Sequence, residues 1–266
     1  MFNYSWSNII CKLDFNLKSN KMKSKILILV AFFVTSLSFS QRNPNNDYLT
    51  SFTYKAKDGM TSKFEKAAGK KTKMFNSEDG NIIWTYKVVT GENNGVYERY
   101  MINQTSDSYN QDRSKELDYW SDNVLPYADA VNGPQRWMLE KWASVGEDGP
   151  PKKYLQKTTL VTKAGQDEHV SRWIFRTGQV IEKRAPNYLR RVFTIVSGGN
   201  PNMIVIFNAF DEYGIWGDND NTFEEDYNEM FGWKQYGVDR ELMFSSLLEW
   251  GEYVETLERV DAMLPN

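Results

Sequence analysis

The sequence predicts an α+β protein made of two ferredoxin-like βαββαβ units fused in one chain, and three observations predict it. Element signals in the first half fall in the order strand, helix, strand, strand, helix, strand, which is the ferredoxin-like order. A strand pattern then begins again at His169, where His169, Ser171, Trp173 and Phe175 overlie Tyr48, Thr50, Phe52 and Tyr54 at one constant shift. Finally, "LEKW" at Leu139–Trp142 and "LLEW" at Leu247–Trp250 each close a helical run just before a strand.

Taken in order, Tyr48–Lys55 alternates, with Tyr48, Thr50, Phe52 and Tyr54 on one face, and reads as a strand. From Asp58 the period changes to three and four through Met60, Phe64, Ala67, Ala68, Lys71, Met74 and Phe75, which predicts an amphipathic helix. Ile82–Val89 and Val96–Ile102 are strands joined by "TGENNG", whose Asn-Gly pair suits a hairpin turn. Leu117, Trp120, Val124 and Leu125 read as helix, as do Trp137, Met138, Leu139 and Trp142 after the break "NGP". The breaker-rich "GEDGPP" then leads into a strand over Lys153–Val161.

The second half repeats the scheme with a strand over His169–Arg176 and a helix carrying Tyr188, Leu189, Val192, Phe193 and Val196. A near-continuous apolar strand follows over Met203–Phe210, of the kind buried on both faces. Beyond the acidic stretch Asp211–Gln235 come a helix from about Val238 to Trp250 and an alternating run over Tyr253–Val260. The units divide at residues 41–164 and 165–266.

At the other end, the uncharged run Ile26–Phe39 follows Lys21, Lys23 and Lys25, which is the grammar of a secretory signal. It is too short for a spanning helix, which needs about 20 apolar residues. The segment 22–40 is therefore expected to be cleaved between Ser40 and Gln41, at a site resembling those of Bacteroidetes-type exported proteins. That leaves no membrane span and a periplasmic or secreted location. Residues 1–21 are neither basic nor apolar enough for a signal and read as an upstream extension, with Met22 as the start.

Cys11 lies in that extension, so the expected mature chain has no cysteine and no thiolate chemistry. Removing residues 1–40 takes away five lysines and one aspartate, which moves the net charge from −3 to about −7. An acidic chain without a basic stripe is no candidate for nucleic acid. Eight of the nine tryptophans lie beyond Gln41, a density that calls for large cores or aromatic binding surfaces.

His169 is the only histidine, so a zinc site, a catalytic triad or a haem axial ligand would each have to use it. Its place at a strand end reads as structural, and no cofactor is expected. In "GDNDNTFEEDYNE", Asp218, Asp220, Asp226 and Glu229 stand at calcium-loop offsets. Phe223 occupies the position that needs glycine, so the stretch reads as an acidic loop whose "TFEED" starts a helix. The stronger candidates for ligand binding are the aromatic side chains Trp84, Tyr86 and Trp173, with Arg99, Arg172, Arg176, Asn208 and His169 as polar contacts. Such mixed walls suit an apolar, aromatic or sugar-like small molecule.

With this element order, the chain from about Tyr48 to Val260 resembles the dimeric α/β-barrel superfamily, which contains antibiotic-biosynthesis monooxygenase-like and NIPSNAP-like proteins. The resemblance implies that the two fused units form one pseudo-dimeric barrel. Its members range from cofactor-independent oxygenases to haem proteins and proteins without demonstrated chemistry, so the fold leaves the function open. The expected function is a small-ligand-binding or stress-associated module. A cofactor-independent oxygenase or isomerase acting on an apolar or aromatic molecule is the alternative, and glycan binding a second.

Overall fold

The computed structural model describes residues 47–77, 81–213 and 222–265. The signal-like run and the residues before it lie outside them, as do Asp218 and Asp220. The first unit consists of β1 (Tyr48–Ala56), α1 (Thr61–Phe75), β2 (Ile83–Val88), β3 (Val96–Gln104), α2 (Ser114–Asn123) and β4 (Ala128–Leu139). The second consists of β5 (Tyr154–Thr162), α3 (Asp167–Arg184), β6 (Leu189–Ser197), β7 (Met203–Phe210), α4 (Thr222–Phe231), α5 (Gln235–Ser246) and β8 (Leu247–Arg259). These strands close a barrel in the order β1-β3-β2-β8-β5-β7-β6-β4, every neighbour antiparallel. Closure removes free sheet edges.

The duplication is real, but its register differs from the expected one. β1 and β5 open at Tyr48 and Tyr154, α1 and α3 at Thr61 and Asp167, and β2 and β6 at Ile83 and Leu189, all at one spacing. The two junctions between units, β2–β8 and β4–β6, are therefore equivalent under a pseudo-twofold axis along the barrel. β5 pairs with β7 and β8, so the second unit opens before Tyr154 and not at residue 165.

Four further expectations change with it. His169–Arg176 is part of α3 and not a strand, because Val170, Ile174, Thr177 and Gly178 form a buried face at helical spacing. Asp167 and Glu168 in its first turn, with Lys183 and Arg184 in its last, complement the helix dipole. The stretch expected as a helix around Val192 is β6, rich in β-branched and aromatic residues. Trp137–Leu139 ends β4, whose pairing with β1 is irregular between Ser51 and Tyr54. "NGP" lies inside that strand, in the position tolerated for a proline that cannot donate to the ladder. "LLEW" likewise opens β8 instead of closing a helix.

Each half packs its helices on the outer face of its sheet. Phe64, Ala68, Tyr97, Trp120, Val124 and Met263 fill the first such core, and Val170, Ile174, Val192, Ile204, Ile206 and Met243 fill the second. Both helical layers are pinned by buried ions. In the first, Glu116 of α2 accepts from Arg113 Nε at 2.7 Å and Nη2 at 2.6 Å, from Asn76 Nδ2 at 3.0 Å and from Lys71 of α1. Burial opposes ionisation of Glu116, but the bonds from Arg113 and Lys71 outweigh it and hold the carboxyl well below the usual glutamate range. Since the folded group stays ionised to lower pH than the unfolded one, its contribution is complete above about pH 4.5 and is lost as pH falls toward the folded value. We expect the thermal midpoint to drop through that acid range, and Glu116→Gln to flatten the drop while lowering the midpoint at neutral pH.

Candidate functional site

Strand alternation sends every second side chain into the barrel. An eight-stranded barrel is just wide enough to be filled by side chains or to hold one small ligand. Here Tyr100 of β3 and Phe207 of β7 meet inside it, ring centroids 5.2 Å apart at 73°, and divide the interior in two. Tyr86 and Phe193 buttress them at 6.2 Å and 5.9 Å.

The first chamber is a cavity of about 330 Å³ walled by Trp84, Tyr86, Ile102, Leu155 and Phe193. That volume lies at the small end of ligand pockets. Asp47, Asp148, Lys152 and Arg191 ring its mouth. Arg191 is fixed there, donating to Val145 O at 2.6 Å, Gly146 O at 3.0 Å and Asp148 Oδ1 at 2.6 Å. Tyr86 donates its hydroxyl to Lys152 O at 2.9 Å, which ties the wall to the loop following Ala143. Burial pushes the Tyr86 phenol well above its usual range, so it remains a donor. The loop sits close enough to β6 that a Cβ on Gly146, whose φ is +80°, would lie 2.3 Å from Tyr188 O.

The second chamber, of about 170 Å³, occupies the other side of the Tyr100–Phe207 partition and is polar. Lys157 of β5 lies 2.6 Å from Glu98 Oε1 and 3.5 Å from Glu255 Oε2. Tyr100 donates to the other oxygen of Glu98, and Asn93 Nδ2 donates to Glu255 Oε1 at 2.6 Å. Burial disfavours the Lys157 ammonium, but Glu98 and then Glu255 outweigh it and hold its pKa above the ordinary lysine value. Burial and the neighbouring Glu98 both raise the Tyr100 phenol, which keeps its proton.

Of the residues expected to contact a ligand, Trp84 and Tyr86 line the first chamber, and the other six lie outside the barrel interior. Arg99 has the opposite parity from Glu98 and Tyr100, so it points under α1, donating to Thr72 Oγ1 at 2.7 Å and stacking 4.5 Å from the Trp120 ring. His169, Arg172, Trp173 and Arg176 are carried away by α3. Arg172 and Arg176 bind Asp239 of α5 at 3.2 Å and 2.5 Å. Trp173 packs on Tyr227 and Tyr236, and His169 Nδ1 lies 2.8 Å from Arg172. Asn208 is on the outer face of β7, 3.5 Å from Gln156 Oε1. Asp226 and Glu229 sit on α4 and pair with Lys183 at 3.0 Å and 2.9 Å, so they belong to a helix and not to a calcium loop.

Sequence reasoning missed Glu98, Lys157 and Glu255. The signal for Glu98 was present: in Val96, Glu98, Tyr100 and Ile102 one carboxylate shares a strand face with three apolar neighbours. A charge at such a position is seldom buried unless paired.

No family model matches the chain, and no curated protein sequence does. Solved structures do resemble it. A candidate monooxygenase from Lactobacillus acidophilus NCFM superposes with a TM-score of 0.52 at 10% identity, over 83% of this chain and 96% of that one. A second candidate monooxygenase, from Fusobacterium nucleatum, superposes with a TM-score of 0.51 at 10% identity, over 82% of this chain and 94% of that one. At such identities the likeness is one of fold. The chain thus has the fold of the dimeric α/β-barrel superfamily, with two ferredoxin-like units in tandem.

Proposed function

We propose that the chain is an exported protein whose barrel binds one apolar, aromatic small molecule in the chamber beside Trp84 and Tyr86. The observation that carries this reading is an open cavity, walled by aromatic side chains, in a barrel interior that could have been filled. Aromatic walls offer large apolar area and favourable edge or offset contacts to a planar ligand. The fixed Arg191 and Asp148 at the mouth give a polar substituent somewhere to point. The export part rests on the signal-like run Met22–Gln41.

The first test titrates purified protein with 1-naphthol and follows the quenching of tryptophan emission. Saturable binding at one site is expected, and Ala209→Trp, which fills the chamber, should weaken it at least tenfold. Undiminished binding by that variant would sink the proposal. Expression in a Gram-negative host should yield periplasmic protein beginning at Gln41, and an uncleaved cytoplasmic chain would remove the export part.

A second reading, a cofactor-independent isomerase or oxygenase, is favoured by one observation. The Tyr100 ring floors the chamber while its hydroxyl joins Glu98 and Lys157, so a protonated, charge-linked phenol abuts the ligand site. On this reading Tyr100→Phe would abolish turnover of a bound aromatic substrate and leave its binding intact.

A further inference from the structure

The polar chamber behind Tyr100 holds two buried polar atoms that its own network leaves unused. Thr159, 1% exposed, has no hydrogen-bond partner for Oγ1 among the described residues. Glu255, 3% exposed, uses Oε1 for Asn93, but Oε2 has no hydrogen-bond donor among those residues and only the Lys157 ion pair at 3.5 Å. Buried groups of this kind cost free energy when left without partners, so their occurrence together calls for an explanation. β5 and β8 bring them together: Lys157 is opposite Glu255 and Thr159 opposite Tyr253, which makes Thr159 and Glu255 diagonal neighbours on the inward face.

The charge balance then selects the occupant. Glu98 is satisfied by Lys157 and Tyr100, which leaves the carboxylate of Glu255 as the excess negative charge of the chamber. Trp137 and Val205 supply apolar wall beside it, and the Trp137 indole N–H is already committed to Ser51 Oγ at 2.9 Å. We propose that this chamber is a second binding site, separate from the aromatic one, for a small primary ammonium with a short hydrocarbon chain. The ammonium donates to Glu255 Oε2 and Thr159 Oγ1, and its chain lies along Trp137, where a cation is also attracted by the indole face. Carboxylates are excluded by Glu255, and neutral alcohols lack the charge that Glu255 requires.

The test is calorimetric titration of the full chain at pH 7 with n-butylammonium, n-butanol and butyrate. One n-butylammonium is expected to bind, at least tenfold more tightly than either of the others. Glu255→Gln, nearly isosteric, should weaken the amine at least tenfold, Thr159→Val should weaken it by a smaller factor, and the charge-matched exposed control Glu182→Gln should leave it unchanged. The wild-type ligand ranking needs no variant, so it decides the matter even if Glu255→Gln fails to fold. No amine binding by folded protein, equal binding of butanol or butyrate, or wild-type affinity in Glu255→Gln would each overturn the proposal. Since 1-naphthol reports the other chamber, failure of one site is distinguishable from failure of the other.

Discussion

Asp239→Ala is expected to lower the unfolding free energy by about 3–5 kcal/mol, the cost of removing one partner from a buried ion pair. Asp239 is wholly buried between α3 and α5, and four side chains converge on it. Arg176 Nη1 and Arg172 Nε lie 2.5 Å and 3.2 Å from its oxygens, Tyr227 donates at 2.7 Å and Gln235 at 3.0 Å. Without the carboxylate, two guanidinium groups face each other with their compensating charge gone, and the Tyr227 hydroxyl is left buried without an acceptor. Burial also makes the pair resistant to screening, so the loss should persist at about 1 M salt, where exposed pairs contribute little. Urea denaturation of wild type and variant at low and high salt measures it. A loss under about 1 kcal/mol, the range of exposed ion pairs, would show that the cluster does not pin the helices.

The second large effect is expected from Gly69→Ala, and its sign is the informative part. In the interior of an exposed helix, alanine is preferred to glycine by about 1 kcal/mol. Here Gly69 faces the turn Asp261–Met263, and a Cβ would lie 2.0 Å from the carbonyl oxygen of Ala262. That atom is backbone and cannot rotate aside, so α1 and the C-terminal turn must separate. Met263, fully buried in the first helical core, would be withdrawn with the turn. We expect a loss of about 1–3 kcal/mol, the usual cost of overpacking, with faster proteolytic trimming after Val260. A stabilised variant would mean that the turn is not docked on the helix.

The fold was legible from sequence where elements were long and of one kind. β1, α1, the β2–β3 hairpin and β5 carry alternation or helical spacing that survives a single reading. Reading failed where a short segment satisfied two periods. His169, Ser171, Trp173 and Phe175 alternate, but Val170, Ile174 and Thr177 form the face that packing selects, and the longer period prevails because α3 buries it. This one error displaced the repeat register, moved β5 into the wrong unit and took Arg172, Trp173 and Arg176 for strand residues. The candidate site suffered next. Trp84 and Tyr86 were found because aromatic residues on a strand stand out, whereas Lys157 and Glu255 lie on separate strands and acquire meaning only when β5 and β8 pair. Arg99 was lost by one step of parity.

The pseudo-twofold axis runs down the barrel, so each inward residue has a counterpart at the same depth. Tyr100 and Phe207 are such a pair, and Glu98 and Val205 lie two residues before them. Lys157 and Ser51 each stand three residues after the tyrosine that opens its strand. Glu255 pairs with Lys157 as Gln135 pairs with Ser51, so the neutral amide of Gln135 is its counterpart. Every charge of the polar chamber thus faces an uncharged twin. Two identical subunits would have to place each of these residues twice, giving four carboxylates and two ammoniums in a space of about 170 Å³. With both copies in one chain the two halves are free to differ, so that the interior has a left and a right.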